Sequence, residues 1–246
     1  AINYGRMARE RPVTGYPGAY DWNPGIRAPE DDGLFIVDIA TGQSRLLISF
    51  AAMAAAVRDT HPQVDEAGLY INHTLWNRDS DTLYFFLRGR IGNRRIAVNV
   101  PCTIQRDGSG FTTHDTFIGG HPEWGAGHEI IGRQRSYQVV YNVRTQTIGR
   151  RIGNRSQLPD PEGDIALSPD GQWLVNGSKY RGDYLRYDFI HLPTGTHLRS
   201  STLDRGGLLR GELRIDPAPR WNRTSDAILV PGWTEDETRQ LHVIRM

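Results

Sequence analysis

Two histidines, an aspartate and an arginine lie just before the turn in four equivalent short segments of this chain. They are His73 in Asn72-His73-Thr74-Leu75-Trp76-Asn77-Arg78-Asp79, His121 in Gly120-His121-Pro122-Glu123-Trp124, Asp164 in Gly163-Asp164-Ile165-Ala166-Leu167-Ser168-Pro169-Asp170-Gly171, and Arg220 in Asp216-Pro217-Ala218-Pro219-Arg220-Trp221-Asn222-Arg223. An imidazole is the side chain best suited to move a proton near neutral pH, or to ligate a metal when neutral. Neutral imidazoles from His73 and His121 with the Asp164 carboxylate would make a mixed N/O set suited to Zn or Mn. The planar fork of Arg220 suits a carboxylate or sulfate, and Arg88, Arg133 and Arg214 are further candidates of that kind. Tyr141 and Tyr180 offer phenolic acids.

Each of these residues also has a plainer reading. A single strand histidine can simply bond a neighbouring carbonyl; two at equivalent repeat positions raise the functional reading to parity with that one. Asp164 reads as an oxygen ligand or as a turn cap. Arg220 either neutralises a bound carboxylate or stacks on Trp221. Trp76, Trp124, Trp173 and Trp221 read as packing between repeats more readily than as sugar platforms. His114, His128, His191, His197 and His242 share no such spacing and read as structural.

The elements that must position these residues are short strands. In each copy a small or polar stretch runs into an aromatic or Leu, then a polar turn, then an apolar strand, over 82–88, 129–132, 172–176 and 226–230. A strand-rich unit of about forty residues repeated in this way predicts a β-propeller, one blade per repeat. The innermost strands of a propeller surround its axis, so His73 and His121 are expected to face one axial funnel, with Asp164 and Arg220 on its rim.

The expected organisation is one all-β domain over 1–246, built of four-stranded antiparallel blades. Residues 1–31 are turn-rich and read as an arm or loop. Residues 33–60 form a partial blade, a hairpin followed by a helix over 50–59. Full blades cover 68–106 (strands 68–75, 82–90, 94–100 and 102–106), 114–152 (114–119, 129–132, 136–143 and 147–152) and 163–203 (163–167, 172–178, 185–192 and 196–203). A last partial blade, with strands 213–217, 226–231 and 239–245, fills 213–246. This count fits the C-terminal blades of a seven-bladed propeller, with a closed five-bladed ring as the alternative.

Composition narrows the function classes. The formal net charge of +1 supplies no field for nucleic acid. No apolar run approaches the roughly 18–20 residues of a membrane helix, so neither nucleic acid nor a membrane is expected as a partner. Lys179 is the single lysine among 29 basic residues, which fits coding bias or a preference for arginine forks. Cys102 is the only cysteine, so an internal disulfide and a zinc–thiolate site are both excluded. The start at Ala1 carries no signal-peptide pattern and reads as processed, truncated or recombinant. No GxSxG elbow, P-loop, HExxH or GxGxxG occurs.

At these motifs the chain resembles the β-propeller polysaccharide lyases of oligogalacturonate-lyase and ulvan-lyase type. The resemblance starts in Arg9-Glu10-Arg11-Pro12 and Gly15-Tyr16-Pro17-Gly18, passes Glu30-Asp31-Asp32-Gly33-Leu34-Phe35 and Thr41-Gly42-Gln43-Ser44-Arg45-Leu46-Leu47, and takes in all four openings. It implies further blades before this segment, a periplasmic or secreted location, and an acidic oligosaccharide or polysaccharide partner, with the preceding blades or another chain completing the ring. It also implies β-elimination: Arg or a divalent metal neutralises a uronate carboxylate, a His or Tyr removes the C5 proton, and a second group protonates the leaving oxygen. On that reading His73, His121, Arg220 and Tyr141 would be catalytic, and Arg88, Arg133, Arg214 and Trp221 would bind substrate. The chain departs from the family where Asp164 and Ala218 stand in place of His, which leaves a multi-histidine metal site incomplete. A non-catalytic TolB-like propeller that binds a glycan or protein is the alternative.

Overall fold

The structure, a computed structural model, describes residues 1–92, 96–161 and 163–246 and divides into two units, Ala1–Phe117 and Ile118–Met246. The first unit opens with a helix, α1 (Tyr4–Glu10), where only an arm was expected. Asn3 caps it by accepting the Arg6 N–H at 2.9 Å. Arg6 is buried, donates to the carbonyls of Leu69, Ile26 and Arg27, and lies 4.7 Å from the Phe50 ring centroid. Seven residues are too few to display a helical period, so this element is set by capping and by tertiary contacts of Arg6.

The expected hairpin follows as β1 (Gly33–Val37) and β2 (Ser44–Ser49), paired Gly33 to Ser49. Ser49 then caps α2 (Phe50–Val57) by accepting the Ala52 N–H. The four-stranded antiparallel sheet is β3 (Gly68–Trp76), β4 (Thr82–Arg90), β5 (Ile96–Gln105) and β6 (Thr112–Thr113), in sequence order. Alternate residues Leu69, Ile71, Leu83, Phe85, Leu87, Val98, Val100 and Ile104 turn to one face and bury against Phe50, Met53, Val57 and Leu34.

Two expectations for this sheet are corrected. Residues 94–100 and 102–106 are not separate strands: β5 runs through Pro101, and the edge strand is β6. Pro101 is tolerated because its carbonyl accepts the His114 N–H at 2.9 Å, so its missing donor falls on the side of the short edge strand and costs β4 nothing. Arg94 and Arg95, the start of the expected strand, lie outside the described residues.

The second unit holds β7 (Gly119–Trp124), β8 (Glu129–Gln134), β9 (Tyr137–Asn142) and β10 (Thr147–Ile152) as one antiparallel set. The next set is β11 (Asp164–Leu167), β12 (Trp173–Tyr180) and β13 (Tyr184–His191), with both β14 (His197–Arg199) and β15 (Leu203–Asp204) on the outer side of β13. The two sets join where β7 and β11 run parallel, His121 opposite Asp164. The last set is β16 (Arg220–Trp221), β17 (Ala227–Trp233) and β18 (Arg239–Arg245).

Three expectations change here. The inner strand of the second repeat is β7, not 114–119; His114 instead bonds Thr103 Oγ1 in the first unit. The outer strand expected over 196–203 is broken into β14 and β15. Residues 213–217 form no strand, and the inner strand shrinks to Arg220–Trp221, because Pro217 and Pro219 have no N–H to give a ladder.

Three of the four turns are the same object. Asn77, Ser168 and Asn222 each donate N–H to the carbonyl five residues on, in Thr82, Trp173 and Ala227, at 2.9, 2.8 and 2.9 Å. The fourth residue of each turn, Ser80, Gly171 or Ser225, is left-handed. In two of them an asparagine side chain closes the turn. Asn77 Oδ1 accepts from Asp81 and Thr82, and Asn222 Oδ1 from Asp226 and Ala227.

Candidate functional site

Three of the four openings are irregular, which is how they aim side chains. In β3 the register slips between Asn72 and Leu75, and His73 sits at φ 55°. Its N–H is held by Asn72 Oδ1 at 2.7 Å. In β7 the register slips between Gly119 and Glu123, with Gly120 at φ 72°. Ala218, at the fourth opening, has φ 35°. A bulge of this kind re-aims the neighbouring side chain, and a left-handed non-glycine residue persists only where its surroundings hold it. Asp164 lies in regular β11.

The second unit brings His121 and Asp164 into direct contact, His121 Nδ1 on Asp164 Oδ1. The imidazole is 56% exposed and the carboxylate 11%. Asp164 Oδ2 accepts the Ala218 N–H at 2.8 Å. One carboxylate thus joins the second, third and fourth openings. Burial by itself would raise the Asp164 pKa. The hydrogen bond and charge of His121, the Ala218 N–H and the positive charge of Arg220 outweigh it and hold the carboxyl below its ordinary value.

Glycines let the 216–218 segment close on this point. A Cβ on Gly177 would lie 2.5 Å from Pro217 Cβ, and one on Gly163 would lie 2.1 Å from the Gly177 carbonyl oxygen. Tyr187 OH donates to the Pro217 carbonyl at 2.9 Å, and Trp221 Nε1 donates to the Ala166 carbonyl at 3.1 Å. Burial raises the Tyr187 phenol, which stays a neutral donor. Beside it Asp216 pairs with Arg214 at 2.6 Å and with Lys179 at 3.0 Å. Arg220 is exposed and donates to the Pro219 carbonyl.

The remaining predicted residues have surroundings of their own. In the first unit His73 meets the Phe86 ring edge-on, centroids 5.6 Å apart, and the Arg88 guanidinium lies 4.8 Å from the same ring centroid. Arg88 is buried and donates to Asn99 Oδ1 at 2.9 Å; burial lowers its pKa to about 10. Tyr141 is fully buried near the end of β9, paired with Ile130 on one side and Ile148 on the other. Arg133 is half-buried on β8 and donates to the Arg135 carbonyl. Tyr180 is flanked by the guanidinium groups of Arg181 and Arg186.

Among the described residues no group of three or more His, Cys, Asp or Glu side chains could hold a metal. Asp164 commits both oxygens to protein donors, the disposition of a carboxylate that orients a histidine. Sequence reasoning missed Lys179 and Tyr187; the one available signal was that Lys179 is the only lysine.

No protein-family model matches the chain, and no curated protein matches it. Solved structures do. TolB from Acinetobacter baumannii superposes with a TM-score of 0.53 at 10% identity, over 86% of this chain and 45% of TolB. A puromycin hydrolase mutant complexed with PGG superposes with a TM-score of 0.50 at 10% identity, over 82% of this chain and 28% of the hydrolase. The chain therefore spans less than half the length of either. At such identities the likeness speaks for fold alone. The likeness supports an all-β propeller fold, as the repeats predicted, and the lyase resemblance gains no support from these structures.

Proposed function

We propose that this chain is a non-catalytic propeller segment whose openings in the second unit form a binding platform for an acidic glycan. The observation that carries this reading is that the polar groups at those openings satisfy one another. Elimination needs a cation free to neutralise the substrate carboxylate, a base and an acid, all within reach. Here Arg214 is already neutralised by Asp216, Asp164 holds both His121 and the Ala218 N–H, and Tyr141 is buried in β9. What remains outward is recognition chemistry: the exposed Arg220 with Trp221 half-buried beside it, and the exposed faces of His121 and Lys179, which Asp164 and Asp216 hold in place. Such a preorganised set of donors binds an anionic polymer with strong salt dependence.

The experiment offers pectic, ulvan and glycosaminoglycan polymers to the chain. It follows absorbance at about 235 nm, where the unsaturated product of elimination absorbs, and measures binding by calorimetry. A flat absorbance trace, with binding that weakens in Arg220→Gln and in rising salt, is expected. Growth of the chromophore would return the chain to the lyases. Absence of binding to every polymer would remove the glycan reading.

A further inference from the structure

A cavity of about 440 Å³ in the first unit is lined by Arg11, Tyr70, Arg90 and Ile96. None of these belongs to the openings discussed above. We propose that this cavity is an oxyanion site: it takes the carboxylate or phosphate of a small molecule, with Arg11 and Arg90 supplying charge, the Tyr70 hydroxyl supplying a directed donor, and Ile96 forming the apolar wall.

The Tyr70 side chain is the strongest sign. The residue is 1% exposed, and its hydroxyl oxygen is buried without a hydrogen-bond partner. Buried phenols regularly find a partner, so an unmet donor on a cavity wall marks a place for an acceptor. Burial raises the phenol's pKa, so it keeps its proton and can donate.

The charge around it has one sign in excess. Tyr70 pairs across the β3–β4 ladder with Arg88, and Gly68 pairs with Arg90, which places both arginines on the Tyr70 face of the sheet. The positive fields of Arg88, Arg11 and Arg90 all reach the phenol more strongly than the opposing field of Glu10. Glu10 is engaged by Arg9 at 3.1 Å, and it is the Glu10 carbonyl, a neutral acceptor, that holds Arg90 Nη1 at 3.0 Å. No ion pair holds Arg11 among the described residues. Arg88 is fixed on Asn99 and buried, so it acts as a background charge.

Size agrees with the chemistry. Small-molecule pockets run from about 300 to 1,000 Å³, which puts this cavity at the small end, room for one oxyanion on a compact body.

Calorimetry and thermal shift on the whole chain, at matched ionic strength, test this with inorganic phosphate, glucose 6-phosphate and glucuronate as probes. At least one probe is expected to bind and raise the melting midpoint. Phosphate-bearing probes alone would assign a phosphate ligand, and glucuronate alone a carboxylate. Tyr70→Phe removes an atom that makes no bond in the unliganded protein, so its midpoint without probe should match the parent while the affinity falls about tenfold or more, as expected for a hydrogen bond to a charged group. Arg11→Gln should weaken binding comparably. The proposal is overturned if no probe binds, or if either variant binds the probes as the parent does. A Tyr70→Phe midpoint well below the parent's would also overturn it, since the hydroxyl would then be doing structural work.

Discussion

Removing the Asp164 carboxylate tests the joint between three repeats. Asp164→Ala leaves the Ala218 N–H without its acceptor at 2.8 Å and releases His121. A hydrogen bond to a charged group contributes roughly 1.5–3 kcal/mol. The His121 contact is half-exposed and adds only about 0–1 kcal/mol after solvent screening. The total loss is therefore about 1.5–4 kcal/mol, which in a chain of this length lowers the melting midpoint by roughly 3–16 °C. Asp164→Asn keeps one acceptor oxygen and should lose about half as much. The pH dependence has a definite sign. The carboxyl is held below its ordinary value, so its contribution is complete above the unfolded pKa of about 3.9 and disappears as pH falls through the lower folded value. Thermal melts at pH 7, 5 and 3 should show parent and Asp164→Asn separated equally at the first two and converging at the third. A loss below about 0.5 kcal/mol for Asp164→Ala at pH 7, or a gap unchanged at pH 3, would refute the reasoning.

The turn asparagines should behave alike. Asn77→Ala and Asn222→Ala each strip two backbone N–H groups of their acceptor, at a cost of about 1–3 kcal/mol with the larger effect at buried Asn77, and hydrogen exchange should quicken first at Asp81–Thr82 and Asp226–Ala227. Gly163→Ala should be worse than Gly132→Ala in thermal unfolding. The new Cβ at 163 meets the Gly177 carbonyl at 2.1 Å, whereas at 132 it meets the movable Ile118 Cγ2 at 2.5 Å, an overpacking of about 1–3 kcal/mol. Burial lowers the His114 pKa to about 4. Its stabilising effect is present above the unfolded value near 6.5 and is lost as pH falls towards 4, so His114→Gln should flatten the melting profile between those limits.

Strand content and repeat spacing were legible because they depend on local patterns: period-two alternation in 82–88, and a polar turn before each apolar run. The openings were legible as equivalent places in the repeat, whereas the pairing of His121 opposite Asp164 on neighbouring strands appears only with the sheet order. What escaped was set by partners distant in sequence. The helix Tyr4–Glu10 depends on Arg6 reaching Ile26, Arg27 and Leu69. The continuity of β5 through Pro101 depends on which neighbour lacks a donor, and that requires the sheet order. Tyr141 looked like a candidate acid because a strand tyrosine has the same letter whether it faces solvent or, as here, is wholly buried. The bond between Asp164 and the Ala218 backbone involves an N–H that every residue but proline carries, so no side-chain pattern could announce it.

That bond gives a physical meaning to the two openings that carry no histidine at this position. Taken separately, Asp164 and Ala218 read as two independent losses from a four-histidine set. In the structure they are one feature: the carboxylate brought by the first accepts the N–H of the second, and its other oxygen takes His121. The left-handed backbone of Ala218 is the geometry that this acceptor stabilises. A histidine placed at 218 alone would bring a second imidazole to a carboxylate already committed on both oxygens. A histidine placed at 164 alone would leave the Ala218 N–H unmet. A single histidine at either position is therefore expected to destabilise the openings without creating a proton-transfer centre, which is the outcome that the proposed binding role requires.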